Sequence, residues 1–421
     1  MKIYNKGALD MEIKKESKEV FEYFYNLGLA FDDYDNFGDM IEDDFNFDEI
    51  DTNIEMYFLN SETDGCLTSF GQLKEFYYTL KGEIKKEELY VIFESKCLYR
   101  VHCDNYEVLD ILYYDENSTI KSLDLNIKNE DYTISFGMGI SELSFINIVD
   151  NKYSEYYPPF DGKDIFIMLE GSNLNQLNEK DILGIVESYL FQIKCSFNID
   201  ISLSPRHDGE SDYLDDFKFD SLMRPLLLGE GIFDVVSLFN KASFNADLTS
   251  SILRYTQVLE YISLTVVNRK LVEDVTNKLN SASVFSPDSN YIVEMGDIFL
   301  SNYKLKQNDG ELIKAVVTSC CDIFELKKVA PNFIKKIKQI NEKSKLENRI
   351  KALDEIADYI VNTRNRLSHS KPNYQNNGKI SATDEELPEF LELLKTICEQ
   401  SIRWFGNIPE KDRITKANSY R

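Results

Sequence analysis

Apolar residues in the second half of the chain recur with the spacing of one helix face. Between residues 247 and 281 they are separated by intervals of three and four, at Ile252, Tyr255, Leu259, Ile262 and Val266. This spacing is typical of the buried side of an amphipathic α-helix. A long helix is therefore predicted here, and Asp247 or Thr249 is placed to cap its first turn.

The same periodicity predicts further helices in this half. They are expected over Asn290–Leu305, Gly310–Phe324, a segment beginning at Asn332, and Leu387–Phe405. One more helix has an apolar stripe made of Ile350, Leu353, Ala357, Ile360 and Leu367. We therefore predict a bundle of about four to six helices.

The first half has a different pattern, with short segments rich in β-branched and aromatic residues. Clusters of Asn, Asp, Gly and Ser separate these segments, as is usual between strands. The predicted strands include Glu88–Glu94, Tyr106–Tyr114, Tyr132–Phe136 and Asp164–Leu169. Helices are predicted over 14–29, Gln72–Leu80 and 179–197.

The two patterns predict two domains. A chain of 421 residues is long for one domain, and an acidic loop with Pro205 and Gly209 lies between the two halves. The predicted fold class is α+β. A β-rich N-terminal domain, residues 1–210, is followed by an all-α helical bundle, residues 215–421.

Composition limits the broad class of protein. A hydrophobic content of 43% predicts a packed core. We see no apolar run near the ~20 residues that span a bilayer and no apolar signal core at the N-terminus. A cytoplasmic protein without membrane contact is therefore expected. The seven cysteines include the neighbours Cys320 and Cys321 but form no C-x-x-C motif, so neither a zinc site nor a disulfide framework is predicted.

Charge is distributed unevenly along the chain. The net charge is −26, which repels nucleic acid unless a basic region is kept separate. Residues 31–51 hold ten acids and no Lys or Arg, whereas 327–351 hold nine bases and two acids. The basic segment is either a solvated helix face or a track for RNA. Its candidate RNA-binding residues are Lys335, Lys336, Lys338, Lys343, Lys345 and Arg349, joined by Lys371 further along the chain.

The segment from Tyr359 to Pro372, YIVNTRNRLSHSKP, has the strongest chemical signal. It places Arg364, Asn365 and His369 at the end of a predicted helix. A guanidinium can neutralise developing phosphate charge, and an imidazole can move a proton near neutral pH. These residue types together can cleave a phosphodiester without a metal ion, so all three are candidate catalytic residues.

The spacing within this segment leaves two interpretations. Five residues turn an ideal helix by ~140° net, so Arg364 and His369 do not share a face, whereas Asn365 and His369 do. Pro372 disfavours helix at Lys371, and His369 then lies in the last turn, where it can swing toward Arg364. The structural alternative is a helix end whose basic side chains satisfy the last carbonyls.

Two further residues are possible supports for this site. Glu260, in the first long helix, can hold the Arg364 guanidinium in a carboxylate pair, or it is an ordinary surface acid. Arg366 is either a phosphate contact or a surface residue.

No metal or cofactor site is predicted. The acidic stretch Asp33–Gly38 faintly resembles a calcium loop, but Phe37 occupies a ligand position. The other two histidines, His102 and His207, are isolated. The chain also lacks a P-loop and a G-x-G-x-x-G motif.

The Arg364–His369 segment resembles the R-x4-6-H signature of the HEPN-superfamily ribonucleases, with Asn365 at its polar position. Tyr255–Glu260 gives weaker support, and no motif in residues 1–210 contributes. Among these proteins the chain is most similar to the ApeA-like group of bacterial anti-phage defence, which also pairs a β-rich domain with a C-terminal HEPN domain. The resemblance implies a HEPN-like bundle, metal-independent endoribonuclease activity and dimerisation that brings two motifs together.

The expected function is therefore an anti-phage endoribonuclease that acts by abortive infection. It would be a homodimer or higher homo-oligomer that cuts RNA, with tRNA among the candidate substrates, in response to a phage-derived trigger. The alternative is a non-catalytic HEPN scaffold whose acidic N-terminal domain binds a protein partner.

Overall fold

The chain divides into two compact units. The computed structural model describes residues 17–31, 53–58, 66–103, 122–127, 130–153, 159, 164–172, 174–197, 199, 201–204, 224–243, 247–368 and 380–415. Unit 1 comprises Met1–Asn178 and Leu203–Asp220, and unit 2 comprises Glu179–Ser202 and Ser221–Arg421. The predicted strand Tyr106–Tyr114, the acidic loop Asp33–Gly38 and His207 lie outside the described residues.

Antiparallel sheets form the framework of unit 1. The three-stranded sheet has the order β1 (Leu29–Phe31), β2 (Asn53–Phe58), β3 (Cys66–Ser69). The larger sheet contains β4 (Lys85–Lys86), β5 (Tyr90–Ile92), β6 (Lys96–Cys103), β7 (Ser122–Ile127), β8 (Glu130–Met138) and β9 (Ile165–Glu170). These strands lie in the order β4-β5-β6-β9-β8-β7.

Side-chain alternation explains why these strands are half-buried. In β8, Tyr132, Ile134 and Phe136 are buried while the residues between them are partly exposed, as the two-residue period of a strand requires. The predicted bounds of β8 and β9 differ from the observed bounds by one or two residues at each end. The segment predicted as Glu88–Glu94 is shorter in the structure, because β5 covers Tyr90–Ile92 alone.

Three described helices pack with the sheets of unit 1. They are α1 (17–26), α2 (Phe70–Lys81) and α3 (Glu142–Val149). Ser69 and Gln72 form a capping box at the start of α2, which satisfies two of its unpaired N–H groups. Aromatic contacts join these elements, with the rings of Phe24 and Phe145 4.8 Å apart.

Unit 2 consists mainly of helices. Its described helices are α4 (Glu179–Phe197), α5 (Ile232–Ser243), α6 (Leu248–Leu279), α7 (Ser289–Lys306), α8 (Asp309–Cys320), α9 (Ile323–Val329), α10 (Lys335–Lys338), α11 (Leu346–Ser368) and α12 (Leu387–Gly406). They surround one apolar core centred on residues such as Phe239, Tyr255, Ile356 and Phe390.

The prediction for α6 is confirmed. Its five periodic residues are all buried, and the Asp247 side chain accepts hydrogen bonds from the backbone N–H groups of Thr249 and Ser250. The cap and the apolar face thus agree on where this helix begins.

Two predictions for the bundle are wrong. The segment Gly310–Phe324 is not one helix, because Cys321 is extended and the Asp322 side chain caps a new helix at Phe324 and Glu325. The bundle also has more helices among its described residues than the four to six expected. α9 and α10 are short, and α5 was not predicted.

The predicted domain division placed residues 179–197 in the N-terminal domain. In the structure these residues form α4, which belongs to unit 2. Its Phe191 ring lies 5.1 Å from that of Phe239 on α5, and Asn240 Nδ2 donates to Glu187 O at 3.0 Å. Residues Ile185–Lys194 of α4 are buried on every side of the helix, and sequence order alone does not reveal that α5 covers one of these sides.

Among the described residues, no helix is both long enough and apolar enough to cross a membrane.

Candidate functional site

The C-terminal turns of α11 present Arg364 and Asn365 at the edge of the bundle. Leu353, Ala357 and Ile360 hold α11 against the core, and Arg364 follows Ile360 by about one turn on the same side. Its guanidinium therefore emerges where the buried stripe of α11 reaches the surface, and 30% of its side chain is exposed.

The Arg364 guanidinium is held by a carboxylate from a distant part of the chain. Arg364 Nη2 donates to Glu260 Oε1 on α6 at 2.9 Å, and Nη1 donates to Asn365 Oδ1 at 3.2 Å. Asp309 Oδ2, at the start of α8, lies 3.9 Å from Nη2. Glu260 is thus an ion-pair partner of Arg364 rather than an unpaired surface acid.

The electrostatics of this pair are dominated by burial. Desolvation raises the pKa of Glu260 above the ordinary carboxyl value, although the Arg364 charge opposes the rise, and Asp309 adds to it. A raised folded-state pKa contributes stability at low pH that is lost as pH rises through that pKa. The charged pair therefore adds little to folding stability at neutral pH. Its structural effect is to fix the orientation of the Arg364 guanidinium.

A test of this orienting effect is Glu260→Gln. The variant should fold with undiminished thermal stability at neutral pH, because Gln removes the cost of burying a carboxylate and can still accept a hydrogen bond. We expect any activity that uses Arg364 to fall about tenfold, since a charge-assisted bond that fixes the guanidinium is lost.

The pH profile separates positioning from a merely structural role. In the wild-type chain, protonation of Glu260 at acid pH should release Arg364 and produce an acid limb above the ordinary carboxyl range. Glu260→Gln should lose that limb. An unchanged profile, or unfolding of the variant, would contradict the positioning role.

Arg366 lies on a different side of α11. Two residues turn a helix by about 200°, so Arg366 points away from Arg364. Its Nη1 donates to Asp384 Oδ1 at 2.7 Å. Its Nε and Nη2 are buried without a hydrogen-bond partner within the described ranges. Neither Asp384 nor Asp309 was anticipated from the sequence. Asp309 follows the helix-capping Asn308, which is a detectable signal, whereas Asp384 has none.

The basic segment is exposed, but it lies away from Arg364. Lys335, Lys336, Lys338, Lys343 and Lys345 are exposed. The backbone N–H of Lys336 donates to Glu355 Oε2 at 2.7 Å, and Glu355 is on the opposite side of α11 from Arg364, about 180° away. The start of α11 is ~27 Å along the axis from Arg364.

Arg349 is bound within the protein. Its guanidinium lies 5.0 Å from the centroid of the Phe324 ring, and Nη2 donates to the backbone oxygen of Glu342 at 2.7 Å. These contacts leave Arg349 less available to a phosphate than the neighbouring lysines.

Two candidate residues, His369 and Lys371, lie outside the described residues. The described chain stops at Ser368 and resumes at Ile380, whose backbone oxygen accepts a hydrogen bond from Asn362 Nδ2 at 3.0 Å. The structure thus brings together Arg364, Asn365 and Glu260 and separates them from Arg366.

Metal-ligating groups are not clustered in the described residues, where no set of three His, Cys, Asp or Glu side chains could hold an ion. Cys97, Cys195, Cys320, Cys321 and Cys398 are in no disulfide bond within the described residues. The site around Arg364 consists of its guanidinium, the Asn365 amide and the carboxylates of Glu260 and Asp309.

No family model, curated protein or solved structure matches the chain.

Proposed function

We propose that the chain is a metal-independent endoribonuclease with a HEPN-like C-terminal domain. The observation that carries the proposal is the Arg364 guanidinium, which is fixed by Glu260 at 2.9 Å and by Asn365 at 3.2 Å yet remains partly exposed. A preoriented cation at the surface can stabilise charge that develops on a phosphate.

In the proposed reaction, His369 takes the proton of a ribose 2′-OH, and the 2′-oxygen attacks the adjacent phosphorus. The P–O5′ bond then breaks, and a second His369 protonates the leaving 5′-oxygen. Arg364 stabilises the anionic phosphorane between these steps. The products carry a 2′,3′-cyclic phosphate and a 5′-OH, and DNA is excluded because it lacks the 2′-OH.

The need for both a base and an acid supports a homodimer or higher homo-oligomer. One His369 holds a single protonation state at a time, and a twofold axis supplies the other copy. The exposed lysines from Lys335 to Lys345 are proposed to attract RNA despite the net charge of −26. Their distance from Arg364 implies a long substrate such as tRNA rather than a short oligonucleotide.

The proposed biological setting is anti-phage defence, because the Arg364–His369 segment resembles that of the ApeA-like HEPN proteins. Uncontrolled cleavage of cytoplasmic RNA harms its host, so unit 1 is proposed to keep the nuclease silent until a phage-derived trigger binds. Toxicity on expression that is abolished by His369→Ala would support this setting.

Cleavage should persist in excess EDTA at the wild-type rate. The carboxylate nearest Arg364, Glu260, is occupied by the guanidinium, so it is a poor ligand for Mg²⁺. The measurement is the initial rate of cleavage with and without the chelator. A strict requirement for a divalent ion in the chemical step would contradict the mechanism.

A second candidate is a non-catalytic scaffold that binds a protein partner. The observation that favours it is a row of exposed apolar side chains on α7, including Ile292, Phe299 and Tyr303. Such a surface fits protein association, and it does not exclude catalysis at Arg364. A protein that is well folded, associates through α7 and leaves every RNA tested intact would favour the scaffold.

A further inference from the structure

Helix α7 has one apolar side covered by its own chain and another left exposed. Tyr291 is its one buried residue. Its exposed apolar side chains are Ile292, Val293, Phe299, Leu300 and Tyr303, each with 51–64% of its surface accessible. A helix that is apolar on more than one side usually packs against more than one neighbour.

The exposed residues form a seam with coiled-coil spacing. Ile292, Gly296, Phe299 and Tyr303 are separated by four, three and four residues, which places them within about 60° of one another on the helix. α6 contacts a different side of α7, where Asn302 Nδ2 donates to Val267 O at 3.1 Å. The seam therefore faces away from α6.

Gly296 interrupts this seam without a reason inside the chain. A Cβ atom added at Gly296 would meet nothing within 4 Å. Glycine in the middle of a helix is destabilising relative to alanine, so the missing side chain is a cost in the isolated chain. The glycine is favourable when a second helix packs against α7, because the missing side chain leaves a hole that a large side chain of that helix can fill.

The charges of α7 indicate which helix fits. Asp288 lies at its N-terminal cap and Lys306 in its last turn, and helix geometry places both beside the seam. Glu294 is not part of this surface, because it pairs with Lys278 of α6. An antiparallel copy of α7 places each acidic end beside a basic end, whereas a parallel copy places like charges together.

We propose that α7 pairs antiparallel with α7 of a second copy of this chain. The twofold axis passes between Gly296 and Phe299, so the Phe299 ring of each copy fills the hole at Gly296 of the other. Ile292 of each copy then faces Tyr303 of its partner. The contact is self-complementary in shape and in charge, as an isologous interface requires.

The exposed apolar area of α7 fits this occupant. The three apolar seam residues, with Val293 and Leu300 beside them, offer on the order of 600 Å² per copy, below but near the ~800 Å² per partner of a standard interface. Phe285, at the tip of the α6–α7 hairpin, is 91% exposed and extends the apolar surface. A reversible dimer in the micromolar range is expected.

This contact is separate from the proposed ribonuclease and does not rest on it. Arg364 lies beside Asp309, beyond the C-terminal end of α7. An antiparallel pair of α7 helices therefore places the two Arg364 residues at opposite ends, on the order of 30 Å apart. Any contact that unites two Arg364–His369 segments uses another surface.

Sedimentation of the full chain at micromolar concentration tests the pairing, with Gly296→Leu as the first variant. Leucine removes the helix defect, so the variant should unfold at the same or a higher temperature than wild type. It also fills the hole, so its assembly should contain half as many copies, with a dissociation constant at least about 30-fold higher.

A compensating exchange and a matched control complete the experiment. Gly296→Phe combined with Phe299→Ala moves the ring to the facing position and should restore the wild-type mass. Leu346→Asp removes an apolar side chain that is 72% exposed at the start of α11, and it should leave the mass unchanged. Equal masses for wild type and Gly296→Leu, or equal loss in Leu346→Asp, would overturn the proposal. A segment of the same chain or a lipid surface as the true occupant would give the first of these results.

Discussion

His369→Ala is expected to lower RNA cleavage by ~10²–10⁴-fold, the usual cost of losing a positioned acid–base group. His369 supplies both proton transfers of the proposed reaction, one from each copy. It follows directly on the residue that ends α11, Ser368. The rate is measured on a labelled RNA under single-turnover conditions, where binding and product release do not limit it.

Two controls make this result interpretable. The thermal unfolding temperature of His369→Ala should match that of wild type, which separates lost chemistry from lost folding. His102→Ala removes a histidine from β6 in unit 1 and should leave the cleavage rate of the folded protein unchanged. Wild-type rates in a folded His369→Ala protein would remove the residue from the mechanism.

Arg364→Lys is expected to lower cleavage by about 10²-fold or more, comparable to removal of one oxyanion donor. Lysine keeps the charge, but its ammonium cannot contact Glu260, Asn365 and a phosphate at once as the planar guanidinium can. The effect should fall on the rate of the chemical step rather than on RNA binding.

Arg366→Lys is the matched control. Arg366 has the same chemistry two residues further along α11, but it points to Asp384 on another side of the helix. Its substitution should change the rate less than about threefold, a shift of under 1 kcal/mol. If both variants lost activity equally, general positive charge near the helix end would explain the data better than an oriented Arg364.

The helices of unit 2 were predictable where local signals agreed. α6 has an apolar period and a capping Asp247, and both are properties of neighbouring residues. The break between α8 and α9 was missed because Asp322 caps the second helix inside a continuous apolar pattern. The spacing of apolar residues does not show whether a polar residue among them caps a new helix or points to solvent from a continuous one.

The partners of the site were less predictable because they come from distant parts of the chain. Glu260 and Arg364 are separated by 104 positions, and the sequence offered their pairing as one of two interpretations. The contact of Arg366 with Asp384 had no local signal. The placement of α4 in unit 2 depends on how Phe191 meets Phe239, which is a property of packing rather than of periodicity.

The chemistry of the RNA ends tests the central claim most directly. The full-length protein is incubated with RNA in EDTA, and the termini of the fragments are identified by mass spectrometry. The account predicts 2′,3′-cyclic phosphate and 5′-OH ends in the wild-type reaction, formed about 10²-fold or more slowly with Arg364→Lys or His369→Ala. Fragments ending in 3′-OH and 5′-phosphate, or cleavage that both variants retain, would contradict it.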